Sequence, residues 1–109
     1  MVTSNDRVSV EIPAGSPAAG VLVPLVLGLA ARAGLPIERM DELSLAVELL
    51  VEQRAAADLT IAATVMNGGI EIRIEGAATR RAADRREIIA ALVDSFEVEP
   101  DGIVLRVGA

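Results

Sequence analysis

Residues 59–75, LTIAATVMNGGIEIRIE, decide the fold. Leu59–Met66 and Ile70–Glu75 both alternate apolar and polar side chains, the period of a strand buried on one face. Asn67-Gly68-Gly69 between them is turn chemistry that admits positive φ. The stretch predicts an antiparallel hairpin, and the rest of the chain must supply what covers its apolar side.

Upstream, Ile37 to Ala55 reads as a helix that buries Met40, Leu43, Val47 and Leu50, with Asp41, Ser44, Glu48 and Glu52 on the opposite face. Before it, Ser16 as N-cap and Pro17 at the first helical position open an apolar helix running to Ala33, which Gly34 closes. Leu35-Pro36 makes the break between the two. Arg7 to Ile12 alternates and reads as a first strand, ended by Pro13 and Gly15. Downstream of Gly76 comes an arginine-rich loop. Asp84 with Glu87 three residues on predicts a capping-box start to a third helix, whose apolar stripe is Ile88, Ile89, Leu92 and Phe96. Glu97–Glu99, the turn Pro100-Asp101-Gly102 and Ile103–Val107 complete a closing hairpin. The order is β-α-α-β-β-α-β-β. It predicts an α+β fold, a two-layer sandwich with a mixed, mainly antiparallel sheet and helices on one face, formed as one domain over residues 1–109.

Composition narrows the chemistry. A domain of this length buries about 65% of its unfolded surface, and Phe96 is its only aromatic residue. Base stacking and aromatic ligand cages are therefore disfavoured. Cysteine, histidine and lysine are all absent, which removes thiolate chemistry, the usual zinc sites, imidazole acid/base roles, lysine Schiff bases and a P-loop lysine. A net charge of −6 opposes nonspecific nucleic-acid binding. The apolar stretch Ala18–Ala31, 14 residues interrupted by Pro24, falls short of the roughly 20 that a membrane span needs. MVTSNDRVSV carries polar residues where a secretory signal would need a basic and then an apolar region. The expectation is an acidic cytoplasmic protein that contacts neither membrane nor nucleic acid.

Residues 43–53, LSLAVELLVEQ, resemble the second helix of the anti-sigma-factor serine-protein kinases, a branch of the GHKL ATPases. There a run of the type LAV-[S/D]-E-A-x-x-N presents a glutamate as general base and an asparagine that holds magnesium. The close of this chain, REIIAALVDSF followed by EVEPDGIVLRV, is similar to the family's final helix (LVRALADEV type) and hairpin (VEPDGTTVRL type). With the same element order, the resemblance covers nearly the whole chain and implies a Bergerat-like fold.

The family's site positions depart from its pattern together. The base falls on Leu49 and the metal-holding position on Gln53. A frame shifted by one residue offers Glu48 and Glu52, which lie on the face opposite Leu43, Val47 and Leu50 and read as solvent-facing. The aspartate-x-glycine turn that would hold adenine is replaced by Glu75-Gly76-Ala77. The segment Ala77–Ala83, where a glycine-rich lid would close over phosphates, contains no glycine. The expectation is a degenerate member with no catalytic residues and no metal or nucleotide cofactor; ATP and magnesium enter only if a residual serine-protein kinase or nucleotide sensor persists. The resemblance implies a noncatalytic regulator that works by contact with a sigma factor or a STAS-type antagonist. A plain dimerisation or scaffold domain is the further alternative.

Two features point to contact surfaces. Projected at 100° per residue, the first helix puts Ala18, Leu22, Leu25, Val26, Leu29 and Ala33 on a stripe facing the sheet. That leaves Gly20, Val23, Pro24, Leu27 and Ala31 on a face with nothing polar. The expected use is pairing, a homodimer through helix 1 with Val23 and Leu27 at its centre. Arg80, Arg81, Arg85 and Arg86 place four of the chain's ten positive charges within seven residues. They read either as an anion or acidic-partner patch or as a solvated loop pairing with Asp84, Glu87 and nearby carboxylates.

Overall fold

The computed structural model describes residues 7–51, 55, 57–66, 68–76 and 84–108. Five strands, β1 (Arg7–Ile12), β2 (Leu59–Met66), β3 (Gly69–Glu75), β4 (Ser95–Glu99) and β5 (Gly102–Gly108), combine with helices α1 (Ala19–Arg32), α2 (Ile37–Leu50) and α3 (Arg86–Leu92). The sheet order is β1-β2-β3-β5-β4, and every pair is antiparallel. The sheet expected to be mixed is thus wholly antiparallel, because the α3 crossover sets β4 beyond β5 at the edge and not beside β3.

The expected hairpin at 59–75 forms, with Met66 opposite Gly69 and Thr60 opposite Glu75. Alternation decides which side faces the helices. Leu59, Ile61 and Ala63 on β2, Ile70, Ile72 and Ile74 on β3, and Ile103, Leu105 and Val107 on β5 are buried against Leu22, Val26 and Leu29 of α1 and Leu43, Ala46, Val47 and Leu50 of α2. The other sheet face carries a charge ladder. Arg73 pairs with Glu99 at 2.7 Å, and Arg106 reaches Glu71 at 2.8 Å and Glu97 at 3.8 Å. Val104 lies opposite both Arg73 and Glu97, on that same outer side, and is nevertheless 1% exposed. Long charged side chains such as those of Arg73 and Glu97 beside it can bury an apolar neighbour under their methylene stems.

Helix boundaries shift where tertiary pairing wins over local signals. α1 begins at Ala19 and not at Pro17, with Ala18 as a cap that makes no side-chain bond. The Ser16 carbonyl instead accepts the Ala55 N–H at 2.9 Å, and Gly15 donates to the Ala55 carbonyl at 2.7 Å. That pairing also shortens α2. Val51 is already extended, so the helix ends at Leu50, five residues before Ala55, which is buried against the start of α1. The expected stop at Gly34 is present. Gly34 has φ +81°, with Leu35 N–H to Ala30 and Gly34 N–H to Ala31, the two bonds of a Schellman closure.

α3 is shorter than its sequence stripe. It starts at Arg86 after an Arg85 cap, so Asp84 does not cap it, and no capping bond forms. Ile89 is buried and Leu92 half-buried against the core, whereas Ile88 is 56% exposed. Phe96 belongs to β4, where it faces Leu105 and contacts the core from a strand.

One arginine ties the far end together. Arg39 on α2 donates through Nε to the Gly108 carbonyl (3.1 Å), through Nη1 to Glu42 (2.8 Å) and through Nη2 to Asp94 (2.5 Å). Asp94 also accepts the Gly108 N–H at 2.6 Å. The hydrogen bond to Glu42 is the largest influence that raises the Arg39 pKa above its ordinary value; partial desolvation opposes it, and the Asp94 charge assists it. A raised folded pKa gives stability that is complete below the unfolded value and lost only as pH climbs through the folded one. For an arginine both lie far above neutrality, so the cationic side of this clasp is indifferent to pH in the ordinary range.

Candidate functional site

The positions that the family resemblance assigns to a nucleotide site fall at the end of α2 and the end of β3. Leu49 is half-buried against the core, and its carbonyl accepts a hydrogen bond from Arg85 Nη1 at 2.9 Å. A guanidinium just before α3 opposes that helix's own dipole. At the C-terminal turn of α2, which has no basic residue of its own, the same charge is favourable. Arg85 therefore bridges two helices and is itself half-buried. The expectation that it pairs with Asp84 or Glu87 is corrected, since its partner is backbone. Glu48 faces solvent, as its place opposite Leu43 predicts. Gln53, Glu52, Arg80 and Arg81 lie outside the described residues.

At the end of β3, Glu75 is exposed and Gly76 turns with φ +82°. The Gly76 N–H donates to the Asp101 carbonyl at 3.1 Å. A Cβ on Gly76 would stand 2.5 Å from the Asp58 carbonyl oxygen. This glycine is thus held between two neighbouring backbones, and its N–H is committed within the chain.

Two shallow hollows adjoin these elements. One, of about 350 Å³, is lined by Asp84, Arg85, Arg86, Glu87 and Ile88. The other, of about 150 Å³, lies at the β1–β2 end among Glu11, Pro13, Asp58 and Thr60, where Asp58 Oδ1 accepts the Ala14 N–H at 2.8 Å. Their linings mix charges of both signs in the first case and are acidic in the second. Among the described residues no polar or charged side chain is buried, and no group of three potential metal ligands converges.

The outer face of α1 is only partly the one projected from sequence. Gly20, Pro24 and Ala31 are exposed and Leu27 is half-buried, but Val23 turns toward the core, and Val21, at 45%, is the large apolar side chain that is exposed. The buried stripe is wider than the one projected: Val23 stands seven residues before Ala30, which is fully buried, so the two share a flank of the helix. Gly28 is also exposed, and a Cβ there would meet nothing within 4 Å.

Set against known proteins, the chain matches no family model and no curated protein. Among the described residues no helix is long and apolar enough to cross a membrane. Sequence reasoning missed the Arg85–Leu49 bridge and the Arg39 clasp. For Arg39 the i,i+3 spacing to Glu42 was a visible signal, but its partners 55 and 69 residues away carried none.

Proposed function

We propose that this protein is a noncatalytic regulator of the anti-sigma-factor type, acting by protein contact in a cytoplasmic partner-switching system. The reading rests first on the sequence resemblance, and the observation that carries it furthest is the corner at α2. A leucine stands where a general base is required, and its carbonyl is taken up by Arg85. Gly76, in the place of the adenine turn, has its N–H committed to Asp101. A sigma factor or a STAS-type antagonist is the partner class the resemblance suggests. Switching would then come from competition between partners, since a ligand shifts an equilibrium only by its differential affinity for two states.

Thermal melts followed by circular dichroism, with and without Mg-ATP or Mg-ADP, test the lost site. The expected result is no shift. A bound nucleotide at 100 times its dissociation constant would add about 2.7 kcal/mol, on the order of ten degrees for a domain of this size. A shift of that order would restore the residual kinase or nucleotide-sensor reading.

The partner surface we assign to self-association is the outer face of α1. Its composition is costly within one chain. An interior glycine destabilises a helix by about 0.5–1 kcal/mol relative to alanine, and Pro24 cannot donate to the Gly20 carbonyl. A Cβ on Gly28 would meet nothing within 4 Å and one on Gly20 only Pro17 Cβ at 3.9 Å, an ordinary contact, so close packing inside the chain does not explain either glycine. A second helix lying close along Gly20, Pro24, Leu27 and Ala31 would. Leu27→Arg is expected to halve the molar mass measured by light scattering while leaving the circular-dichroism spectrum of the folded protein unchanged. A wild-type protein that already runs as a monomer would remove the assignment.

A further inference from the structure

We propose that the outward ridge of α2 is a docking surface for a cationic amphipathic helix. Ile37, Asp41, Leu45 and Glu48 follow one another at intervals of four, four and three residues, which places them on one continuous seam. Ile37 is 74% exposed and Leu45 46%, and Asp41, Glu48 and the adjoining Glu38 are exposed as well. The seam spans about 16 Å at 1.5 Å per residue, three turns of helix.

Charge decides the occupant. On the open sheet face Glu71, Glu97 and Glu99 are matched by Arg73 and Arg106. On α2 the pattern is different: Glu38, Asp41 and Glu48 form no hydrogen bond or ion pair among the described residues. The helix's one arginine, Arg39, is engaged by Glu42, Asp94 and Gly108. Glu48 lies in the last turn, where a carboxylate opposes the helix dipole, and Glu38 and Asp41 are like charges three residues apart. Glu38 gains from the helix N-terminus, but among the described residues no cation offsets Asp41 or Glu48. A partner helix with apolar residues opposite Ile37 and Leu45, and lysine or arginine opposite Asp41 and Glu48, would satisfy both halves of the seam.

The inference is separate from pairing through α1, which concerns another helix and is tested by molar mass. The probe is a synthetic leucine–lysine peptide of helical period, titrated into isotope-labelled full-length protein and followed by amide chemical shifts. Two control peptides accompany it, one a scramble of the same composition and one with glutamate for lysine. The expected result is that shift changes cluster on residues 37–48, that both controls fail to produce them, and that the double variant Asp41→Asn, Leu45→Ser binds at least about tenfold more weakly. Both substituted side chains are exposed, so an unchanged melt certifies the fold. Equal binding of the scramble, changes centred on the open sheet face or on α1, or wild-type affinity in the double variant would each overturn the proposal.

Discussion

Gly76→Ala is expected to lower the unfolding free energy by about 3 kcal/mol, combining a left-handed conformation with steric overlap. The φ of +82° alone disfavours any residue with a Cβ. Here the added carbon would also meet the Asp58 carbonyl oxygen at 2.5 Å, and that oxygen belongs to backbone at the entry to β2, which cannot swing aside as a side-chain tip would. Relief would require the Gly76–Asp101 hydrogen bond or the last rungs of the β2–β3 ladder to yield. Gly68→Ala separates the two contributions. Gly68 has nearly the same φ, +80°, with nothing within 4 Å of its would-be Cβ, so it should cost only about 1–2 kcal/mol. Denaturant unfolding followed by circular dichroism measures both, since the absence of tryptophan and tyrosine removes the usual fluorescence probe. Equal effects in the two variants would mean that the Gly76 corner is loose, and with it the claim that neighbouring backbone confines this turn.

Leu43→Ala is the second large effect, about 2–5 kcal/mol. Leu43 is fully buried on α2 and belongs to the core cluster that α1 and the sheet share. Truncation removes buried apolar surface and leaves a cavity that elements held by strand pairing and helix contacts can collapse only in part. Leu45, two residues on, is 46% exposed, and Leu45→Ala should change stability by no more than about 0.5 kcal/mol. The contrast tests the orientation of α2 directly. Comparable losses at both positions would show that Leu45 is covered, and the ridge proposed as a docking surface would then be internal.

The sequence made the hairpin at 59–75 legible because alternation and turn chemistry agree there, and β1 and β2 have the expected limits. The Gly34 closure was legible for the same reason, a local signal with a local cause. Errors fell where distant chain decides. Ala55 looks helical by propensity but pairs with Gly15 and Ser16. Phe96 continues an apolar helical stripe but is drawn into β4 by its pairing with Leu105. Val23 was placed on the open side of α1 because the projection allowed for the sheet alone, whereas α1 also packs against α2 and Val23 shares a flank with the buried Ala30. Of the candidate site, Leu49, Glu75 and Gly76 could be named from sequence, whereas the use of the Leu49 carbonyl by Arg85 could not, since a backbone acceptor leaves no mark in side-chain patterns.

The Arg39 clasp also has a bearing on how the chain comes apart. Its bonds join α2 to Asp94 and to Gly108 across 55 and 69 residues, so they depend on β5 already lying beside β3 and β4. Contacts of that reach are slow to form, and a contact made after the rate-limiting barrier governs escape from the native state more than arrival at it. The clasp is therefore expected to act on unfolding: weakening it should steepen loss of the folded form over time while leaving the refolding rate nearly untouched, which stopped-flow circular dichroism of an Arg39 variant would measure.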